Sequence, residues 1–403
     1  MLDRRELMKR AGMTALVTGL GASRALALDT VTLPFDNGER QLVRYKQKRP
    51  MIGLTSRPPQ LETPFSIFND GPITPNNAFF VRYHLADIPY DLDPDKFTLE
   101  IKGKVDKPLK FSLKEIKKLK PVELVAVNQC SGNSRGFFNP RVAGGQLANG
   151  AMGNARWRGV PLKAVLDMAG VQPGAKQVTF GGMDGPVSDK TPDFVKSIPL
   201  SKAVEDTTLV AYEMNGQPLP HWNGFPARVV VPGWTGTYWM KHVTSITAVT
   251  KPFDGFWMKS AYRIPLGKFP ILARFPSQET AVNTPITEMV VNSLITSHAD
   301  GAMVKVGAAV TVGGIAWDGG YGVNSVEVSS DGGKTWTSAA LGKDHGPYAL
   351  RSWSLHFSPK APGKHVIMAR ATNKIGQSQA TVLIPNPAGY HHNLVQSLTL
   401  IAA

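Results

Sequence analysis

Two patterns of apolar residues divide the chain into a mixed front part and an all-β back part. From about residue 60 to about residue 255, apolar segments typical of strands are interleaved with short helical segments. Residues 112–119 are a predicted helix, because Ser112 precedes Glu115 at the spacing of a capping box. Residues 162–169 are another, which Gly170 ends. The predicted strands of this part are residues 97–105, 122–128, 178–181, 208–213 and 227–232.

From about residue 285 onwards the helical periodicity disappears. Turn sequences such as SDGG at residues 330–333 separate short apolar segments, an arrangement typical of an immunoglobulin-like sandwich. The predicted fold class is therefore α+β, with a mixed α/β domain and its connecting segment over residues 60–284 and an all-β immunoglobulin-like sandwich over residues 285–403. The predicted strands of the sandwich are residues 308–316, 323–329, 365–372, 379–384 and 395–401.

Two segments outside these patterns show little periodicity. Residues 28–75 are rich in proline and charged residues, so residues 28–59 are predicted to form an irregular arm that wraps the following domain. Residues 252–285 are again punctuated by proline and are predicted to be loop-like.

The N-terminus predicts export. The pair Arg4-Arg5 precedes a weakly apolar stretch, and Ala25-Leu26-Ala27 offers a small-x-small cleavage site. These features predict a twin-arginine (Tat) signal peptide over residues 1–27 and a periplasmic protein that is exported in the folded state. The apolar stretch is shorter than the roughly 20 residues that cross a bilayer, so membrane insertion is not expected.

The charge of the chain is strongly positive. The formal net charge is +15, and cleavage after Ala27 would remove five cations and two anions and leave +12. Such an excess favours anionic ligands and acidic partners through long-range attraction. Nucleic acid is not an expected partner, because the chain has no basic stripe interleaved with aromatic residues and because export argues against it.

Cys130 is the only cysteine in the 403 residues. One thiol cannot close an intrachain disulfide, build a thiolate zinc cage, hold an iron–sulfur cluster or attach a c-type haem. A buried inert thiol, a lone nucleophile and a thiolate that gives one bond to a soft metal remain as alternatives. Small residues surround Cys130 and the apolar residues 122–127 lead into it, which predicts a strand that delivers the thiol to a loop.

Other segments carry candidate binding chemistry. Arg82 and His84 stand two residues apart, so an extended backbone places both on one face, where they can hold an oxyanion. Arg228 is available to a phosphate. Residues 232–241 form a glycine-spaced loop that ends in Lys241 and lets the backbone approach a large ligand, although a structural turn explains the glycines equally well.

Taken in order, these segments resemble the sulfite oxidase family of molybdenum–molybdopterin enzymes. The matching motifs are FFVRYH at residues 79–84, QCSGNSR at 129–135, GNARWRGVPL at 153–162, YEMNGQPLP at 212–220, GFPARVVVPGWTG at 224–236 and SSDGGKTW at 329–336. The resemblance covers nearly all of the chain after residue 27. It implies a molybdopterin-binding catalytic domain, an immunoglobulin-like dimerisation domain and a homodimer.

The resemblance also implies roles for individual residues. Cys130 would be the thiolate ligand of molybdenum, and the implied catalytic set is completed by Arg82, His84, Arg135 and Tyr262. The residues implied to bind the molybdopterin cofactor are Phe80, Val81, Arg82, Tyr83, His84, Cys130, Asp184, Asn223, Arg228, Trp239, Met240 and Lys241. Vertebrate members have histidine where Asn223 stands. The C-terminal substrate arginine of the family cannot be placed in this sequence; residues 387–393 (PAGYHHN) are the region to examine, and no residue there is named as its equivalent.

Three activities are compatible with the resemblance. The first is a periplasmic sulfite dehydrogenase that oxidises sulfite to sulfate and passes electrons to a separate c-type cytochrome, with no haem in this chain. The second is the sulfane dehydrogenase catalytic subunit of a thiosulfate-oxidising complex. The third is a protein-methionine-sulfoxide reductase, although those enzymes generally lack the sandwich tail. A non-enzymatic binding protein on the same scaffold is the remaining alternative.

Overall fold

Strands dominate the computed structural model of the protein, which describes residues 29–266 and 283–403. The Tat signal predicted over residues 1–27 lies outside the described residues. Within the described part, the helices are all too short or too polar to cross a membrane.

The arm before the first domain is a sheet, so the prediction of an irregular segment over residues 28–59 was wrong. Pro50 and Pro58 suggested irregularity, but both lie in bends and turns between strands, where no ladder hydrogen bond is lost. Gln60 pairs with Arg82, so the arm supports a candidate binding segment. The strands, in order of pairing, are β1 (Thr30–Thr32), β2 (Glu39–Val43), β3 (Met51–Ser56), β4 (Pro59–Glu62) and β5 (Val81–Arg82).

Two further sheets and four short helices form the mixed α/β domain that was predicted, called the first domain below. One sheet has the order β11 (Lys196–Pro199), β10 (Gln177–Gly182), β15 (Val243–Val249), β6 (Thr98–Gly103) and β7 (Leu109–Ser112). The other has the order β13 (Gln217–Pro218), β12 (Leu209–Met214), β9 (Met152–Pro161) and β8 (Val122–Gln129), with β14 (Arg228–Val230) also paired to β12. The helices are α1 (Leu113–Lys118), α2 (Leu162–Ala169), α3 (Leu200–Ala203) and α4 (Phe256–Lys259).

Helix α1 begins at its predicted capping box, and helix α2 ends at its predicted glycine. The Glu115 N–H donates to Ser112 Oγ at 3.2 Å, and the Ser112 N–H donates to the Glu115 carboxylate at 2.7 Å, which completes the capping box of α1. Helix α2 ends at Gly170, whose φ of 67° lies in the left-handed region that favours glycine. Both helix predictions are confirmed.

The predicted strand that delivers the thiol to a loop is β8. It ends at Gln129, directly before Cys130, and pairs along its whole length with β9. The Cys130 N–H donates to the Ala151 carbonyl at 2.9 Å. This bond continues the β8–β9 ladder by one residue and fixes the backbone of Cys130 at the start of the loop. Trp157 on β9 is fully buried behind it, in the hydrophobic core of the first domain.

The C-terminal part is a sandwich of two sheets, as predicted. Strands β16 (Arg263–Pro265) and β17 (Asn283–Pro285) pair with each other before it, inside the segment predicted to be loop-like. The first sheet has the order β18 (Asn292–Ile295), β20 (Val310–Trp317), β24 (Arg351–Phe357) and β23 (Ala340–Leu341). The second has the order β19 (Ala302–Val304), β26 (Gln396–Ala402), β25 (Gly363–Asn373), β21 (Val323–Ser329) and β22 (Thr337–Ser338).

The strand predicted over residues 379–384 does not form. Only Ala380 makes a single bridge, to Leu394. The Gln379 side chain points inwards and accepts hydrogen bonds from Ser293 Oγ at 2.6 Å and from the Ala371 N–H at 2.9 Å, which fix the start of the segment. Val382 is 75% exposed and packs against no sheet.

A shared apolar cluster joins the sandwich to the first domain. Trp317 and Ile315 of β20 pack with Val127 of β8 and Met152 of β9. The Trp317 indole N–H also donates to Gln129 Oε1 at 2.6 Å, and both groups are buried. The sandwich therefore braces the end of the strand that carries Cys130.

The indole hydrogen bond generates a stability prediction. Substituting Trp317→Phe keeps an aromatic ring but leaves the buried Gln129 oxygen without its donor, which should cost about 1–3 kcal/mol. We expect a lower midpoint in thermal and denaturant unfolding. Trp336→Phe is the matched control, because the Trp336 indole bonds only within its own turn. Equal midpoints for Trp317→Phe and the wild type would contradict the prediction.

Candidate active site

A cleft opens in the first domain where the ends of several strands converge. It contains about 570 Å³ of free space, part of it open to solvent. Arg82 ends β5, Cys130 follows β8 and Asp184 follows β10, so segments far apart in sequence meet here. The lining residues are Phe79, Phe80, Arg82, His84, Asn128, Cys130, Ser131, Asp184, Phe194, Trp222, Asn223, Arg228, Gly236, Thr237, Trp239, Met240, Lys241 and Tyr262.

The cleft gathers most of the site residues predicted from the sequence, although their roles stay predictions. Val81, Tyr83 and Arg135 are the exceptions, since they do not line it. Val81 packs into a separate apolar cluster, and the buried Tyr83 hydroxyl hydrogen-bonds His242 Nε2 at 2.7 Å. Alternation along an extended segment explains part of this split, because residues 80, 82 and 84 face the cleft while Val81 packs away from it. The Tyr83 ring does not line the cleft but lies beside it, with its centre 4.2 Å from Lys241 Nζ.

Arg135 lies outside the cleft. Its Nε donates to the Ala388 carbonyl at 3.1 Å, and its guanidinium lies 4.9 Å from the centre of the Tyr390 ring. Residues 387–393, the region considered for the substrate arginine, contain no arginine and approach the site through Tyr390 instead.

His84 and Tyr262 form a hydrogen-bonded pair at the cleft wall. The His84 Nε2 and the Tyr262 hydroxyl are in contact, and the His84 ring stacks on Phe194 at 3.7 Å. Burial, with help from Arg82 and other nearby cations, holds the pKa of His84 well below its ordinary value. Burial raises the pKa of Tyr262. At neutral pH the pair therefore consists of a neutral imidazole and a protonated hydroxyl, which can hold or relay one proton.

Two cations dominate the charge of the cleft, the buried Arg228 and the half-buried Lys241. Lys241 Nζ donates to the Arg82 carbonyl at 2.7 Å, and burial lowers the pKa of Lys241 to about 7. Arg228 donates through Nη1 to the Asn223 carbonyl and through Nη2 to the Trp239 carbonyl, both at 2.9 Å, and burial lowers its pKa to about 9. The lowered pKa values of Lys241 and Arg228 reflect the free-energy cost of removing positive charge from water, and an anionic ligand would offset that cost.

Several polar atoms at the cleft have no protein partner among the described residues. They are buried Asn128 Oδ1, Ser131 Oγ, Thr237 Oγ1 and Arg228 Nε. Buried polar groups are normally hydrogen-bonded, so this set indicates a ligand with both donors and acceptors. A molybdopterin carries a polar pterin, an anionic phosphate and a dithiolene, and these residues with Cys130 beside them fit such a group.

Sequence reasoning missed several residues that shape the cleft. Asn128 and Ser131 flank the Gln129-Cys130 pair, so the motif itself was an available signal. Lys48 gave no signal, because it lies in the arm, yet its Nζ donates to Asn223 Oδ1 at 2.8 Å. Packing within the protein is enough to explain why position 236 is glycine, since an added Cβ would lie 2.4 Å from Asn128 Oδ1.

Arg228 offers a direct test of cofactor binding. An Arg228→Lys variant keeps a positive charge but loses the planar fork that reaches two carbonyls and leaves Nε available. Loss of a charge-assisted bond of roughly 1.5–3 kcal/mol should weaken cofactor binding by about tenfold or more. Molybdenum per chain, measured after exhaustive dialysis, checks this. Arg156→Lys on the exposed face of β9 is the control, and wild-type metal content in Arg228→Lys would contradict the prediction.

Two family models match the chain. Residues 85–257 match the oxidoreductase molybdopterin binding domain, and residues 283–396 match the Mo-co oxidoreductase dimerisation domain. The second match agrees with the predicted dimerisation role of the sandwich.

Relatives and a solved structure agree with these models. The mitochondrial sulfite oxidase of Mus musculus is 35% identical over 353 residues, which cover 84% of this chain and 63% of that protein. The sulfite oxidase of Arabidopsis thaliana is 30% identical over 328 residues, 78% of this chain and 82% of that protein. The chain thus spans less than two thirds of the mouse relative. The sulfane dehydrogenase SoxCD from Paracoccus pantotrophus has a TM-score of 0.71 and 26% identity, covering 89% of this chain and 87% of that one. The protein belongs to the sulfite oxidase family of molybdopterin-binding oxidoreductases.

Proposed function

We propose that this protein is a molybdenum–molybdopterin sulfite dehydrogenase that oxidises sulfite to sulfate. The observation that carries the proposal is the cleft, where the only thiol of the chain meets Arg82, Arg228, Lys241 and the His84–Tyr262 pair. The similarity to two sulfite oxidases supports it. The twin-arginine signal adds a periplasmic location to the proposal, and a separate c-type cytochrome would receive the electrons.

The residues of the cleft divide the work of holding the cofactor. Cys130 would give one thiolate bond to molybdenum, and Arg228 and Lys241 would hold the anionic parts of the pterin. Asn128, Ser131 and Thr237 would satisfy its polar edges through the atoms that lack protein partners. When bound, the molybdenum–molybdopterin group supplies oxygen-atom transfer and accepts the two electrons of the oxidation.

Arg82 and the His84–Tyr262 pair in the same cleft can bind sulfite and transfer the protons that its oxidation releases. Arg82 offers a cationic fork to the anion, and partial burial strengthens that attraction because the local dielectric is low. Formation of sulfate from sulfite and water releases two protons with the two electrons. The His84–Tyr262 pair is placed to relay a proton, since the imidazole and the hydroxyl share one hydrogen bond whose direction follows the tautomer of His84. Phe194, stacked on His84, keeps bulk water from that imidazole face.

A sulfane dehydrogenase subunit is the second candidate. The match to the Paracoccus pantotrophus structure over most of both chains favours it. Its substrate would be a carrier-bound sulfane sulfur instead of free sulfite. A methionine sulfoxide reductase is supported less, because the sandwich that such enzymes generally lack matches a dimerisation domain here. That match also supports a homodimer.

Steady-state turnover of the purified protein with free sulfite and a c-type cytochrome tests the proposal. We expect reduction of the cytochrome, one molybdenum per chain, and loss of turnover in Cys130→Ser. Retention of molybdenum in that variant is compatible, because the pterin also holds the metal. Full activity of Cys130→Ser would contradict the assignment of the thiol. Turnover with a sulfane carrier but none with sulfite would favour the second candidate.

Electron exit generates a prediction about salt. The chain after residue 27 carries a formal charge of +12, so an acidic cytochrome should be attracted to it. Screening becomes strong once the Debye length falls to about 10 Å near 0.1 M salt. The second-order rate of cytochrome reduction should therefore fall several-fold as ionic strength rises through that value. A rate indifferent to salt would show that docking is apolar, and a Soret band in the pure protein would refute the expectation that this chain carries no haem.

A further inference from the structure

A tyrosine from the sandwich part of the chain enters the core of the first domain. Tyr390 lies between β25 and β26 in sequence, yet it is buried within the hydrophobic core that contains Cys130 and Tyr262. Its ring lies parallel to the Tyr262 ring, with an interplanar angle of 9° and 6.1 Å between centroids. The Arg135 guanidinium lies 4.9 Å from the centre of the same ring.

The segment that carries Tyr390 is built to hold it. Asn386 Nδ2 donates to the Tyr390 carbonyl at 2.8 Å, and the Tyr390 N–H donates back to Asn386 Oδ1 at 3.1 Å. Gly389 has a φ of 61°, and an added Cβ would come within 2.3 Å of Val142. The backbone therefore passes so close to the first domain that only glycine fits.

Arg135 depends on this segment for its position. Its Nε donates to the Ala388 carbonyl at 3.1 Å, and its Nη1 makes a longer bond of 3.4 Å to the Gly145 carbonyl. Neither bond involves a carboxylate, so Tyr390 supplies the attractive contact for the charged group, through the face of its ring and through its nearby hydroxyl. A guanidinium over an aromatic face gains roughly 0.5–2 kcal/mol, the larger value when water is excluded.

We propose that Tyr390 is a positioning residue through which the sandwich domain sets the site, because its ring holds both Arg135 and Tyr262. The inference rests on the proposed function, since it gives Arg135 the task of attracting the anionic substrate. With the ring removed, Arg135 keeps only its carbonyl bonds to residues 145 and 388, and its charge is no longer fixed near the cleft.

Two substitutions separate the ring from the hydroxyl. Tyr390→Leu removes the ring, and Tyr390→Phe keeps it. We expect Tyr390→Leu to raise the KM for sulfite by roughly tenfold, the equivalent of about 1.4 kcal/mol, with kcat per bound molybdenum within about threefold of the wild type. Tyr390→Phe should stay within about twofold in both constants. Tyr321→Leu, on an exposed tyrosine of the sandwich, is the matched control and should change neither.

A merely structural role would give a different pattern. It would lower the unfolding midpoint and the molybdenum content of Tyr390→Leu while leaving KM unchanged, and that result would overturn the proposal. An equal rise of KM in Tyr390→Phe would also overturn it, since the hydroxyl and not the ring would then be responsible.

A readout without turnover distinguishes this proposal from the proposed function. Phenylglyoxal modifies accessible arginines, and mass spectrometry of the digested protein gives the rate at Arg135. We expect faster modification of Arg135 in Tyr390→Leu than in the wild type, Tyr390→Phe and Tyr321→Leu. Absence of sulfite oxidation in the wild type would refute the proposed activity alone. An Arg135 rate in Tyr390→Leu equal to that of the wild type would overturn the positioning role.

Discussion

The cleft depends on the burial of positive charge around one thiol. Lys241 and Arg228 are withdrawn from water, and the pKa of each is lowered for that reason. Asp184 is the single carboxylate among the described lining residues, where it is outnumbered by Arg82, Arg228 and Lys241, and burial raises its pKa. Removing cations from water without a partner is costly, and proteins retain such groups where a ligand repays the cost. An anionic cofactor beside Cys130 satisfies this constraint.

The scaffold explains how such a cleft stays in place. Strand β8 delivers Cys130, and the arm sheet fixes Arg82 through its pairing with β4. The sandwich part contacts the site at two places. The Trp317 indole donates to Gln129, next to Cys130, and the Tyr390 ring lies parallel to the Tyr262 ring. The site is thus shared between both parts of the chain, which gives the sandwich a role in positioning in addition to the dimerisation that its family match indicates.

The elements that were predicted correctly from the sequence are those that local patterns determine. Hydrophobic periodicity placed β8 and α2, and the spacing of Ser112 and Glu115 placed the start of α1, because these signals act within a few residues. The prediction of an irregular arm was wrong because the sequence alone does not distinguish prolines in the turns between strands from prolines that prevent strand formation. The strand predicted over residues 379–384 was wrong because a short apolar run does not by itself provide a sheet to pair with, and Val382 in that run is largely exposed.

For the site, the residues predicted from the sequence include eleven of the eighteen described residues that line the cleft, Cys130 among them. The motifs also assigned Val81 and Tyr83 to cofactor binding, whereas neither residue lines the cleft. Lys48 and Tyr390 reach the site from opposite ends of the chain. Tertiary packing alone brings them there, so no local pattern could predict them.

The central claim is that Cys130 completes the coordination of a pterin-bound molybdenum in this cleft. X-ray absorption at the molybdenum edge, recorded on the wild type and on Cys130→Ser with equal metal content, tests it most directly. The account predicts one sulfur ligand more in the wild type than in the variant, the dithiolene supplying the sulfurs common to both. Identical sulfur coordination in the two proteins would contradict the account.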